Sequence, residues 1–188
     1  MKRIICILLI ACLIPACSFA YDESMIPEPI KEESLYLSAR TENSEYTLTG
    51  IRFDLDDENM PVIIIKEKQK NISERSIDLN NNLWIFNHDP YAISGSLLQG
   101  GASHYKKEYL GIEIQKNKKG KIRYVNIKPD EIAPGEEFEW ESIYCIDNFA
   151  DPVYMYYMTK ENSTDRKWMY ETIVVIPDKG SVTLLKVK

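Results

Sequence analysis

Glu137-Phe138-Glu139-Trp140-Glu141-Ser142-Ile143-Tyr144-Cys145-Ile146 is the stretch from which the fold is read. Phe138, Trp140, Ser142, Tyr144 and Ile146 occupy alternate positions, which is the period of a β-strand whose successive side chains point to opposite faces. The same period returns in Trp168, Tyr170, Thr172, Val174 and Ile176, and earlier in Leu35, Leu37 and Ala39. Tyr46 and Leu48 alternate, and so do Ile51, Phe53 and Leu55, but the phase slips at Gly50. That slip predicts a bulge or kink in one long strand. Residues 62–65 form a β-branched apolar run suited to a buried strand, whereas residues 66–74 read as a charged loop. Residues 83–86, 153–159 and 182–187 supply further strands. Residues 109–115 and 121–127 alternate around Asn117-Lys118-Lys119-Gly120, which predicts a hairpin with Gly120 at its turn. A 3.6-residue apolar period of helix length is absent from the sequence. The expectation is an all-β chain folded as an antiparallel β-sandwich over residues 35–188.

The turns point the same way. Phe86-Asn87-His88-Asp89-Pro90-Tyr91 and Ile146-Asp147-Asn148-Phe149-Ala150-Asp151-Pro152-Val153 both run strand, Asn, short gap, Asp-Pro, strand. Asn and Asp cap their own turns and Pro presets the backbone. With Pro134-Gly135-Glu136 ahead of a strong strand, these connections resemble those of bacterial immunoglobulin-like sandwiches. The resemblance covers about a third of the chain and implies a fold class only.

The first twenty residues have a separate character. Lys2 and Arg3 precede an uncharged apolar run from 4 to 14, then Pro15, Ala16, Cys17, Ser18, Phe19 and Ala20. This is the layout of a secretory signal peptide over residues 1–20, with an apolar run too short to span a bilayer. Small residues at Ser18 and Ala20 fit cleavage before Tyr21. Ile14-Pro15-Ala16-Cys17 resembles a lipobox, which would make Cys17 a lipidation site. Leu9-Ile10-Ala11-Cys12 fits that motif better in residue types but leaves a very short apolar run. Residues 21–34, with Pro27, Pro29 and five acids, read as an extended acidic linker.

The chain of 188 residues carries 23 bases and 29 acids, a net charge of −6. Removing the leader takes two bases and leaves −8. The negative balance argues against nucleic acid and against anionic membrane surfaces as partners. Three of the four cysteines lie in the leader. Cys145 alone remains, so an internal disulfide is excluded in the processed chain, and the thiol reads as buried and inert in mid-strand.

Candidate site residues fall in three loops. The acids Asp54, Asp56, Asp57 and Glu58 lie in loop 54–61. An EF-hand starting at Asp54 would need Gly at 59 and Glu at 65, where Asn59 and Ile65 stand, so the loop reads as a solvated turn. His104 and Tyr105 close loop 95–105, and Glu161, Asp165 and Arg166 lie in loop 160–167. His88 and His104 are the only histidines, with no Cys/His spacing for zinc, and the common nucleophile and phosphate-loop motifs are absent. Tyr154, Met155, Tyr156, Tyr157 and Met158 read as a central strand covered on both faces. Trp84, Trp140 and Trp168 read as core anchors. The resulting expectation is an exported, non-catalytic binding protein of the bacterial envelope, in the periplasm or at the cell surface. It needs no cofactor, no metal and no nucleic acid, recognises another envelope or secreted protein through its loops or a sheet face, and touches membrane only through a lipid on Cys17. Two alternatives accompany it: an inhibitor or immunity-type protein that neutralises a secreted enzyme, and a small extracytoplasmic hydrolase using dispersed carboxylates.

Overall fold

A computed structural model describes residues 21–31, 38–40, 42–79, 83–87, 105–160, 168–177 and 181–185. In chain order its strands are β1 (Ile30–Lys31), β2 (Ser38–Arg40), β3 (Ser44–Leu55), β4 (Pro61–Asn71), β5 (Ile77–Asp78), β6 (Leu83–Asn87), β7 (Ile112–Lys116), β8 (Ile122–Asn126), β9 (Glu131–Ile132), β10 (Glu137–Cys145), β11 (Val153–Lys160), β12 (Trp168–Ile176) and β13 (Ser181–Leu185). The chain is all-β and its ladders are antiparallel. One sheet runs β1-β3-β4-β10, with β2 also on the free edge of β3. The other runs β13-β12-β11-β6, and β5-β9 and β7-β8 form two-stranded ribbons.

The inner face of the first sheet meets the second sheet in one buried cluster. Leu48, Ile51, Phe53, Ile63 and Ile65 come from β3 and β4; Val153, Met155 and Val175 come from β11 and β12; Ile146 and Phe149 come from the connection between the sheets. Each such side chain taken fully out of water contributes roughly 1.5–3 kcal/mol. β11 is interior to its sheet, paired with β12 and β6, as its aromatic and sulfur-rich composition suggested. Trp140 is 1 % exposed; the side chains of Trp84 and Trp168 lie outside the described ones.

The phase slip at Gly50 is a bulge: the β3–β4 register shifts between Leu48 and Gly50. Ser44, Tyr46 and Leu48 are buried before it, Ile51, Phe53 and Leu55 after it. Thr49 is the extra residue, and its hydroxyl proton is placed to go to Glu139 Oε1 (3.0 Å), with the Lys66 carbonyl also within reach (3.3 Å).

Residues 66–71, expected as charged loop, are strand. β4 continues through them with Glu67, Gln69 and Asn71 turned inward and Lys66, Lys68 and Lys70 outward. The alternation is there, but its inward residues are polar. Their burial is sustained by hydrogen bonds: Gln69 donates to Ser44 Oγ and Tyr46 Oη, with the Asp78 carbonyl also within reach of its nitrogen, and Asn71 donates to the carbonyls of Arg75 and Ile132. Two more expectations change. The described part of the acidic segment is docked on the body: Ile30 is buried in β1 and the Tyr21 ring meets Phe149 edge-on at 5.6 Å. Cys145 ends β10, half-buried against Val62, Ile64 and Ile143, so it is neither mid-strand nor fully enclosed.

Candidate functional site

The acidic loop after β3 is organised by its own acids. Asp56 Oδ1 accepts from the Glu58 and Met60 amides, both at 2.9 Å, and Asn59 takes the left-handed backbone that the turn needs, at φ 58°. Asp57 meets Lys106 Nζ at 2.9 Å. Asp54 accepts from Lys107 Nζ at 2.7 and 2.8 Å and from the Tyr105 hydroxyl at 3.3 Å. Asp54, Asp56 and Asp57 thus diverge to separate protein donors. Among the described residues no group of three or more Asp, Glu, His or Cys side chains is arranged to hold a metal ion.

The segment 105–111 lies over the outer face of the first sheet, where Val62, Ile64, Tyr105 and Ile143 form a second buried cluster with Tyr109 and Cys145 against it. At its edge Arg52 from β3 reaches across to Glu141 from β10. Nε meets Oε1 at 3.0 Å and Nη2 meets Oε2 at 3.2 Å, the two-pronged fit of guanidinium to carboxylate. Burial would lower the Arg52 pKa, but its bonds to Glu141 and Tyr105 outweigh that and raise it. Glu141 also accepts from the Leu110 amide at 3.0 Å, and the Leu110 carbonyl accepts from the Glu141 amide at 3.0 Å. Desolvation raises the Tyr105 and Tyr109 hydroxyl pKa values, so both stay protonated donors near neutrality. Desolvation, followed by the Asp56 charge, raises the Cys145 pKa as well, which keeps the sulfur a thiol.

Glu141 and Leu110 border an open cleft of about 450 Å³, lined also by Glu108, Tyr109, Gly111, Ile112, Glu113 and Ile127. Beyond it the chain forms the β7–β8 ribbon. Asn117 builds the ribbon's turn: its carboxamide oxygen accepts from the Lys119 and Lys121 amides at 2.9 Å, and Gly120 supplies the positive φ of 76°. Gly111 sits at the base with φ 93°, and a Cβ there would meet Lys128 Cε at 2.7 Å. Lys128 in turn lies over the Trp140 ring, 5.5 Å from its centroid. The large apolar side chains exposed on this region are Leu110 (42 %), Ile122 (43 %), Tyr124 (42 %) and Ile127 (53 %).

A buried carboxyl, Glu67 of β4, lies on the opposite face of the first sheet. Glu67 accepts from the Ser142 hydroxyl at 3.3 Å and from the Trp140 indole. Burial pushes its pKa up to about 7, against the opposing effects of those two donors and of the Lys128 charge. Tyr144 is pushed up to about 12, mainly by desolvation and then by the Glu67 charge.

Of the residues singled out in the sequence, Asp54 and Tyr105 meet at one point, and Asp56 and Asp57 flank it. Cys17, His88, His104, Glu161, Asp165 and Arg166 lie outside the described residues. Arg52, Glu141 and Glu67 were not singled out: the first two are 89 positions apart, and Glu67 sits in a segment that reads as loop. The apolar alternation of 122–127 was visible, but it reads as burial and the side chains are exposed.

A family-model comparison finds no match, and a comparison with curated proteins finds none either. Among solved structures, a 2.2 Å crystal structure of a conserved hypothetical protein from Bacillus anthracis is similar at 14 % identity and a TM-score of 0.44, over 86 % of this chain and 98 % of that one.

Proposed function

We propose that the protein is an exported, non-catalytic binding protein of the bacterial envelope, built as an antiparallel sandwich of immunoglobulin-like pattern, whose partner seats in the cleft at the base of the β7–β8 ribbon. The observation that carries the reading is that cleft: the apolar side chains of Leu110, Ile112 and Ile127 stand beside the internally neutralised Arg52–Glu141 pair, with Glu108 and Glu113 also in the lining. Concave apolar surface with a few fixed polar groups is the usual form of a recognition site, and exposed apolar side chains grouped in one place mark contact surfaces. The charged groups beneath are engaged with one another, which suits a preorganised support. The leader sequence supplies the argument for export.

The test is capture from the native host. The full precursor with a C-terminal tag is crosslinked in intact cells beside a Leu110→Ser/Ile127→Ser variant. The expected result is one stoichiometric protein partner recovered with the parent and lost with the variant. A partner retained by the variant would remove the cleft from the reading. A secreted enzyme as the partner, held in a salt-sensitive complex, would select the inhibitor alternative.

A further inference from the structure

The ribbon has a chemistry of its own. Residues 112–128 hold six bases, Lys116, Lys118, Lys119, Lys121, Arg123 and Lys128, and a single acid, Glu113. The rest of the chain then carries 17 bases against 28 acids, so the whole-chain balance conceals a cationic tip on an anionic body. Lys128 turns inward over Trp140; the other five bases are exposed. None of those five pairs with a carboxylate among the described residues. The β7–β8 register sets Ile114 opposite Tyr124 and Lys116 opposite Ile122, so one face of the ribbon presents Ile114, Tyr124 and Ile122 directly below the lysine-bearing turn.

We propose that the tip of the β7–β8 ribbon is a docking element for an anionic phospholipid surface, with Ile122 and Tyr124 entering the headgroup boundary and Lys116, Lys118, Lys119, Lys121 and Arg123 meeting the lipid phosphates. Charge complementarity selects an anionic occupant. An acidic protein would satisfy the bases alone, but an aliphatic and a tyrosine ring exposed on the same narrow face match the layered polarity of a membrane interface, where apolar groups lie just beneath charges. The anionic body then orients the molecule by repulsion, tip first. This inference is independent of what fills the cleft, because none of its residues lines the cleft.

The experiment is vesicle co-sedimentation of the protein carrying Cys12→Ser and Cys17→Ser, so that no acyl chain contributes. Vesicles of phosphatidylcholine alone are compared with vesicles containing phosphatidylglycerol. Binding is expected only to the second kind, and it is expected to fall steeply by about 0.5 M salt, where exposed charges are screened. Each base near such a surface is worth about fivefold in partitioning, so Lys118→Gln/Lys119→Gln is expected to weaken binding by about 25-fold. Ile122→Ser/Tyr124→Ser is expected to weaken it too, with the thermal unfolding profile of both variants unchanged. Equal binding to both vesicle types, or to neither, would overturn the proposal. So would retention by soluble polyglutamate together with indifference to the Ile122/Tyr124 change, which would assign the tip to an acidic polypeptide.

Discussion

Replacing Glu67 by Gln tests the reading of the buried polar end of β4. Glu67 is 6 % exposed, and burial raises its carboxyl pKa from 4.5 to about 7. The groups facing it are the Ser142 hydroxyl, the Trp140 indole, Lys128 and Tyr144, and their donors do not offset the loss of water. Between about pH 4.5 and 7 the folded protein therefore keeps a proton that the unfolded chain has released. Stability is full below the unfolded pKa and declines as pH rises through the folded one. A shift of this size corresponds to about 3 kcal/mol, a large share of the roughly 5–15 kcal/mol typical of a domain. Gln has nearly the same shape, keeps a hydrogen-bonding carbonyl and has no charge to bury. Urea unfolding of parent and Glu67→Gln is expected to give similar midpoints near pH 4.5. A gap should then open as pH rises, with the variant ahead by up to about 3 kcal/mol above pH 8. The difference between the two proteins is the quantity to read, because every other titrating group cancels in it. A difference that stays flat with pH would refute the assignment, and one that opens with the parent ahead would mean that the ionised carboxylate is stabilised by Lys128.

Further outcomes follow from the outer face and the turns. Glu141→Ala leaves the half-buried Arg52 guanidinium and the Leu110 amide without their acceptor, and urea unfolding is expected to show a loss of about 2 kcal/mol; Arg52→Ala combined with it should cost less than the two single changes summed. Asp56→Ala removes the acceptor for two turn amides and is expected to cost about 1–2 kcal/mol with the β3–β4 register intact, as amide exchange of Glu58 and Met60 would report. Gly111→Ala combines a φ of 93° with a Cβ 2.7 Å from Lys128. It is expected to cost about 1–3 kcal/mol and to displace Lys128 from Trp140, visible as a change in tryptophan emission.

Much of the architecture was legible because burial and strand period coincide. Gly50 announced the bulge, since apolar residues fall on even positions before it and odd positions after it. The β7–β8 hairpin was legible from Asn117 and Gly120, whose turn chemistry is local. The far half of β4 was hidden because Glu67, Gln69 and Asn71 face inward, and polar residues at strand period read as loop unless their partners are known. Those partners are distant: Asn71 bonds a carbonyl 61 positions away. The same holds for the site. Tyr105 and Asp54 could be named from loop composition, but the Arg52–Glu141 pair that holds the segment down joins two strands that only the folded sheet brings together. The cationic tip was present in the letters throughout. Summing charge over the whole chain erased it.

The bulge at Thr49 makes the two halves of β3 depend on a count. Ser44 to Leu48 and Ile51 to Leu55 supply the same core from opposite parities, and one residue reconciles them. Any single-residue deletion in 49–50 would therefore act as a frameshift of facing: it would turn either Tyr46 and Leu48 or Ile51, Phe53 and Leu55 to the outer face, although every side chain is still present. A substitution at Thr49 costs the hydrogen bond of its hydroxyl, whereas its removal exchanges inside for outside over half a strand. In homologous chains, length across this point is then constrained more tightly than identity, and a gap placed there in an alignment should be matched by a compensating insertion within β3 or signify a different core.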